Sequence, residues 1–125
     1  MKIKDMALAW ITVSDIVQAK KFFAQTLGLQ VMADNPEHGW LELSGFEGDF
    51  LLGVAQYSPH CEPIKAGHNA VVTMSVDDIV AAKKMLEAKN VKFIGEIIEI
   101  PGHVKMALFQ DPDGNKFQLV QSLDE

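Results

Sequence analysis

Residues 13–21 read Val13-Ser14-Asp15-Ile16-Val17-Gln18-Ala19-Lys20-Lys21, and residues 76–84 read Val76-Asp77-Asp78-Ile79-Val80-Ala81-Ala82-Lys83-Lys84. Seven of the nine positions are identical at an offset of 63, in a chain of 125 residues. A period of half the chain length points to a duplicated unit. Two unrelated lysine-rich amphipathic helices could match over nine residues, but the flanks match too. An apolar run precedes each copy, and Leu29-Gln30-Val31 and Val91-Lys92-Phe93 follow.

Each copy starts a helix. Asp15 and Asp78 are N-cap residues, whose carboxylates can accept from free backbone N–H groups and favour the positive helix end. Ile16, Ala19, Phe22, Phe23 and Leu27 fall on one helical face in the first copy, and Ile79, Ala82, Met85 and Leu86 in the second. Lys20, Lys21, Lys83 and Lys84 take the solvent side. Gly28 and Asn90 suit a left-handed residue closing each helix. Strands are expected at 6–13, 29–34, 39–45, 49–56, 69–76, 91–99, 104–110 and 116–121. The linker is 57–68, which carries Pro59, Pro63 and Gly67. Each half is then β-α-β-β-β. The expected class is α+β: two tandem modules, 1–62 and 63–125, forming one domain. Its curved mixed sheet surrounds a cleft, with helices on the outer face.

Alternation assigns the strand faces. Ala7, Ala9, Ile11 and Val13 should meet the first helix, as should Ala70, Val72, Met74 and Val76, Phe117 and Leu119 the second. Leu8, Trp10 and Thr12 point the other way, with Asn69, Val71, Thr73, Ser75, Lys116, Gln118 and Val120. Leu41 and Leu43 read as core, which turns Trp40 and Glu42 toward the cleft, with His38 beside them. A mixed face that includes Trp10 reads as a partly covered cleft rather than open surface.

Composition narrows the partners. The chain is 48% hydrophobic and 22% charged, with a net charge of −6. That is ordinary globular composition, and an acidic chain without a basic cluster is a poor match for nucleic acid or an anionic membrane. No apolar run reaches the roughly 18 residues of a membrane span, and Met1-Lys2-Ile3-Lys4-Asp5 does not read as a secretory signal. A single cysteine, Cys61, can form no internal disulfide. A cytoplasmic protein is expected.

The doubled β-α-β-β-β unit, Val13-Ser14-Asp15, Phe22-Phe23 before Leu27-Gly28-Leu29, and Leu108-Phe109-Gln110-Asp111-Pro112-Asp113-Gly114-Asn115 together resemble the vicinal oxygen chelate superfamily. That group includes glyoxalase I, extradiol dioxygenases, fosfomycin-resistance transferases, methylmalonyl-CoA epimerases and bleomycin-resistance proteins. The resemblance covers essentially the whole chain and is specific for the fold, whereas activity resides in the site. It implies four metal-ligand positions on the first, fourth, fifth and eighth strands. Seven residues before Asp15 and Asp78 stand Leu8 and Val71, and five after Asp113 stands Gln118. Carrying Gln118 back by the repeat offset reaches Ala55. Three of these side chains have no donor atom and a neutral amide is a weak ligand, whereas a catalytic divalent site usually needs about three protein donors. No metal and no cofactor are therefore expected.

His38, His60, His68, His103 and Cys61 receive no role. Moving the fifth-strand ligand to His68 would bury Asn69 and Thr73 against the helix, and a linker site from His60, Cys61 and His68 matches no known spacing. The expected ligand-binding set is Leu8, Trp10, Thr12, Trp40, Glu42, Ala55, Asn69, Val71, Thr73 and Gln118. It offers aromatic area, apolar area and neutral hydrogen bonds. The competing reading of Trp10 and Trp40 is plain packing, including packing at a dimer interface. The resemblance to metal-free, bleomycin-resistance-like members implies a homodimer that sequesters a small, partly aromatic organic molecule. A catalytic alternative stays open: a divergent metal-dependent lyase or isomerase, or other enzyme of the superfamily, with unexpected ligands, or a metal-free one with Glu42, His38 or His103 as base.

Overall fold

Asp15 and Asp78 do begin the two helices. In a computed structural model, which describes residues 1–2, 7–68 and 71–123, the Asp15 carboxylate accepts from the N–H groups of Val17 and Gln18 at 3.0 and 3.3 Å. That of Asp78 accepts from Ala81 N–H at 3.1 Å. Helix α1 (Ile16–Lys20) runs on into a π-helical turn, Lys21–Thr26, and α2 spans Ile79–Ala88. Gly28 and Asn90 close them in the left-handed region, at φ +76° and +67°.

The strands are β1 (Ala9–Val13), β2 (Gln30–Asn35), β3 (Trp40–Ser44), β4 (Leu52–Gln56), β5 (Val72–Ser75), β6 (Lys92–Ile100), β7 (Val104–Gln110) and β8 (Lys116–Ser122). They form two four-stranded sheets of the same plan, β1-β4-β3-β2 and β5-β8-β7-β6. In each, the strand before the helix pairs parallel with the last strand of its own module, and the other neighbours are antiparallel. A parallel neighbour requires a crossover, which the helix supplies. The chain divides into two compact units, Met1–Ala66 and Gly67–Glu125.

Each unit buries one face of its sheet under its helix. In the first, Ile11, Val13, Ala19, Phe23, Leu41, Leu43, Leu52 and Val54 are buried. In the second, Val72, Ile79, Leu86, Val91, Ala107, Phe109, Phe117 and Leu119 are buried. Phe109 stacks on Phe117 with ring centroids 5.7 Å apart. Burying such side chains contributes roughly 1.5–3 kcal/mol each.

The helix faces depart from simple spacing in two places. Leu27 N–H reaches back five residues to Phe22 O, so the π turn widens the helix. Ala19 and Phe23 are buried, while Ile16, Phe22 and Leu27 are only half-buried. Met85 lies off the stripe joining Ile79 to Leu86 and is exposed. Lys83 is not a free solvent-side lysine: its ammonium stands 5.3 Å from the Phe93 ring centroid and 3.2 Å from the Glu87 carboxylate.

The repeat also changes its offset along the chain. The Gln56 side chain accepts from Ile16 N–H at 2.8 Å, and the Gln121 side chain accepts from Ile79 N–H at 2.9 Å. These two glutamines do the same job 65 positions apart. Strand registers agree, pairing Trp10 with Gly53 and Thr73 with Gln118. Two extra residues therefore enter the second copy between its helix and its last strand. The position equivalent to Gln118 is Gly53, not Ala55.

Candidate functional site

The diagnostic turn at the end of β7 is structural. The Asp111 carboxylate, 2% exposed, accepts from Asp113 N–H, Asn115 N–H and the Asn115 side-chain amide at 2.9, 2.8 and 2.8 Å. Asn115 Oδ1 in turn accepts from Gly67 N–H at 3.0 Å. Burial pushes the Asp111 carboxyl above the ordinary carboxylate value, against the opposing pull of these bonds. The motif thus fastens the β7–β8 turn to the start of its own unit.

The open face of the first sheet is different in kind. Trp10 on β1 is 41% exposed, and Trp40 on β3 is half-buried. Trp40 Nε1–H donates to the Glu42 carboxylate at 2.8 Å, which fixes the indole along its own strand. The Cζ2–Cη2 edge of that ring covers Gly53 on β4: a Cβ at Gly53 would stand 2.4 Å from Trp40 Cη2, 2.7 Å from Cζ2 and 3.0 Å from Trp10 Cβ. Gly53 is therefore required by space, since its backbone is not left-handed.

Trp10, His38, Gly39, Trp40, Ala55, Gln56, Ser58 and Cys61 line a pocket of about 300 Å³ in this unit. The 3₁₀ turn Pro36–His38 ends at Gly39 in the left-handed region, φ +63°, and delivers His38 beside Trp40. Gln56 anchors the pocket wall: its side chain joins Ile16 N–H and Ser14 O, and its backbone N–H donates to Gly39 O at 2.8 Å. The connecting segment supplies the rest. Cys61 Sγ–H donates to Gln56 O at 3.6 Å. The Tyr57 hydroxyl donates to the Glu62 carboxylate, and that bond holds the phenol above its usual range.

Of the expected ligand-binding set, Trp10, Trp40 and Ala55 share this pocket, and Glu42 adjoins it through Trp40. Leu8 precedes Trp10 and is exposed. Thr12 is fully buried, so the alternation that turned it toward open space gave the face but not the accessibility; it pairs with Ala55 on β4. On the second sheet, Thr73 pairs with Gln118; Val71 and Thr73 are exposed and Gln118 is half-buried. Asn69 lies outside the described residues. Gly39, Gln56, Ser58 and Gly53 were missed. Gly53 had a signal, a glycine inside an apolar strand, which marks a close approach. His68 and His103 are exposed and line no part of this pocket. Among the described residues, no three His, Cys, Asp or Glu side chains gather as a metal-binding group, and no helix is long and apolar enough to cross a membrane.

The family model for the glyoxalase/bleomycin resistance protein/dioxygenase superfamily matches residues 4–119. The chain belongs to this superfamily. Among solved structures, TnmS3, an antibiotic binding protein from Streptomyces sp. CB03234, is similar at 31% identity, with a TM-score of 0.79 and 98% of each chain covered. The uncharacterized protein YetH of Bacillus subtilis is 27% identical over 94% of this chain and 98% of that protein. Human mitochondrial methylmalonyl-CoA epimerase is 30% identical over 82% of this chain, which spans 63% of that protein.

The superfamily implies a metal in its metal-dependent members, and the residues at the positions that the resemblance implies do not fit one. Leu8, Gly53 and Val71 carry no donor atom at the implied positions, and Gln118 supplies one amide. At Gly53 there is also no room for a ligating side chain while Trp40 holds its place.

Proposed function

We propose that the chain is a metal-free small-molecule binding protein of the glyoxalase/bleomycin-resistance type, one that holds a partly aromatic organic ligand without turning it over. The observation that carries this reading is the pair Trp10 and Trp40 set around a pocket of about 300 Å³, with Trp40 oriented by Glu42. That volume is at the lower end for small-molecule pockets, and two indoles supply stacking area worth roughly 0.5–1.5 kcal/mol per aromatic pair beyond simple burial. The antibiotic-binding description of TnmS3 supports the same reading. Leu8 and Ala55 complete the proposed ligand-facing set of the first unit, and Asn69, Val71, Thr73 and Gln118 form the set proposed for the second. Thr12, being buried, backs the set rather than touching ligand. We further propose that residues 1–125 act as one domain, as a cytoplasmic homodimer.

The catalytic reading rests on the similarity to methylmalonyl-CoA epimerase, with Glu42, His38 or His103 as base. Glu42 already accepts from Trp40 Nε1–H, which weakens it as a free base.

Elemental analysis of untagged protein offered zinc, nickel, manganese and iron separates the readings, followed by titration of tryptophan emission with a panel of aromatic and cationic compounds. We expect no stoichiometric metal and saturable quenching by at least one aromatic compound. Stoichiometric metal, or turnover lost on substitution of Glu42, His38 or His103, would overturn the binding reading. Light scattering on the same sample reads the oligomeric state, expected to be a dimer.

A further inference from the structure

We propose that the loop 45–50, which joins β3 to β4, docks on the open face of the second sheet in another copy of this chain, each copy giving one loop and receiving one. The inference rests on the homodimer reading above and supplies the surface that reading leaves unspecified.

The loop is the first module's counterpart of the β7–β8 turn. At the offset of 65 set by the strand registers, Phe46 and Phe50 stand where the second module has Asp111 and Asn115. Asp111 and Asn115 are buried and latch their turn by bonding to each other. Phe46 and Phe50 are instead 77% and 57% exposed. The loop is still anchored at its start, where the Gln30 amide and the Ser44 hydroxyl both donate to Gly45 O, at 3.2 and 3.0 Å. An anchored loop loses less freedom on docking than a mobile one, and grouped apolar exposure marks an interaction site.

Charge selects the occupant. Glu47 and Asp49 lie between the two phenylalanines and are exposed. The chain carries a net charge of −6, so packing loop against loop would set acid against acid, which is costly. The second sheet offers the opposite sign. Lys92 on β6 pairs with Gln110 on β7, which pairs with Lys116 on β8. Phe109 and Phe117 turn inward, which puts this row on the open side. The two lysines stand two strand spacings apart, roughly 10 Å at the backbone. Lys116 is held near the turn by its bond to Gly114 O. The next rows are apolar, with Ile94 beside Leu108 and Ile98 beside Met106. Carboxylates set between phenylalanines therefore match lysines set beside aliphatic rows. A two-fold pair makes this contact twice and closes on itself. The four phenylalanines bring roughly 400–700 Å², and with the faces they cover this approaches the roughly 1,200–2,000 Å² of a stable interface.

The test is sedimentation velocity on charge-reversed variants. The loop variant carries Glu47→Lys and Asp49→Lys, and the face variant carries Lys92→Glu and Lys116→Glu. Wild type is expected to be a dimer, and each variant alone to dimerise at least tenfold more weakly. An equimolar mixture of the two should regain the dimer mass, because both contacts in the mixed pair then join opposite charges. That recovery separates a lost contact from a lost fold. Phe46→Ser with Phe50→Ser should also weaken the dimer at least tenfold, and the face variant should not rescue it. Charge variants as dimeric as wild type, or a mixture no heavier than its parts, would overturn the docking and leave the dimer reading standing. A monomeric wild type would overturn both and leave the small-molecule binding reading to its own titration.

Discussion

Replacing Asp111 by Asn removes one charge and leaves the shape, so it isolates what the buried carboxylate does. One carboxylate oxygen accepts from both Asp113 N–H and Asn115 N–H, and the other accepts from the Asn115 side-chain amide. An asparagine carbonyl can keep the two backbone donors, but its own NH₂ then faces the Asn115 NH₂. Asn115 cannot turn over without breaking its bond from Gly67 N–H. One hydrogen bond to a charged group is lost, worth about 1.5–3 kcal/mol, and relief of a buried charge offsets part of it. Because burial outweighs these bonds at the carboxylate, the net expectation is smaller, at most about 1 kcal/mol of destabilisation at pH 7.

The pH dependence has a definite sign. Asp111 is raised above 3.8, chiefly by burial. Between that unfolded value and the raised one, the folded state binds more protons than the unfolded state, so stability falls as pH rises through the window. The Asn variant lacks this titration. The advantage of wild type over Asp111→Asn should be largest below about pH 3.8 and shrink as pH rises through the raised value. Urea melts of both proteins across pH 3–8, followed by far-UV circular dichroism, read it directly, because the other carboxylates cancel in the difference. An advantage that grew with pH, or an Asn variant as stable as wild type, would refute the argument.

Gln56→Ala removes two bonds at the start of α1 and Gln121→Ala removes one at the start of α2. Losses in denaturation free energy of about 1–2 and about 1 kcal/mol are expected, and a neutral Gln121 variant would sink the 65-residue equivalence. Gly39→Ala meets both a left-handed backbone and Gln56 Cβ at 2.8 Å; it should cost about 2 kcal/mol in a thermal melt and disturb the pocket wall. Lys83→Ala loses the Phe93 face and the Glu87 partner. It should cost no more than about 1 kcal/mol, and the loss should be smaller in high salt.

The fold was legible because its determinants are local and were repeated. Asp15 and Asp78 cap helices by hydrogen bonds within three residues, and Leu41, Leu43, Phe117 and Leu119 are buried as alternation requires. Repetition then turned two weak helix signals into one strong signal of topology. The candidate site was legible only in part. Trp10, Trp40 and Glu42 were placed on a common face by period alone, whereas the wall formed by Gln56, Ser58 and Cys61 depends on how the connecting segment folds back, which no period encodes. Thr12 shows the same limit from the other side, since alternation fixes direction and burial is set by whatever covers the face.

The offset carries the sharper lesson. A single shift of 63 is correct where the two copies are helices, yet it names Ala55 where the strand registers name Gly53. The error is two residues, so it preserves the face of the strand and stays invisible to any argument from alternation. It matters because Ala55 merely lines the pocket, while Gly53 is the residue whose missing side chain lets Trp40 lie down. A glycine inside a buried strand weakens the strand by roughly 0.5–1 kcal/mol relative to alanine. Here that cost is tied to one visible return, an indole held by Glu42 over the bare backbone and open to a pocket. The functional reading therefore turns on an absent side chain at Gly53, in register with Glu42 and Trp10 and two strand positions from where the sequence offset pointed.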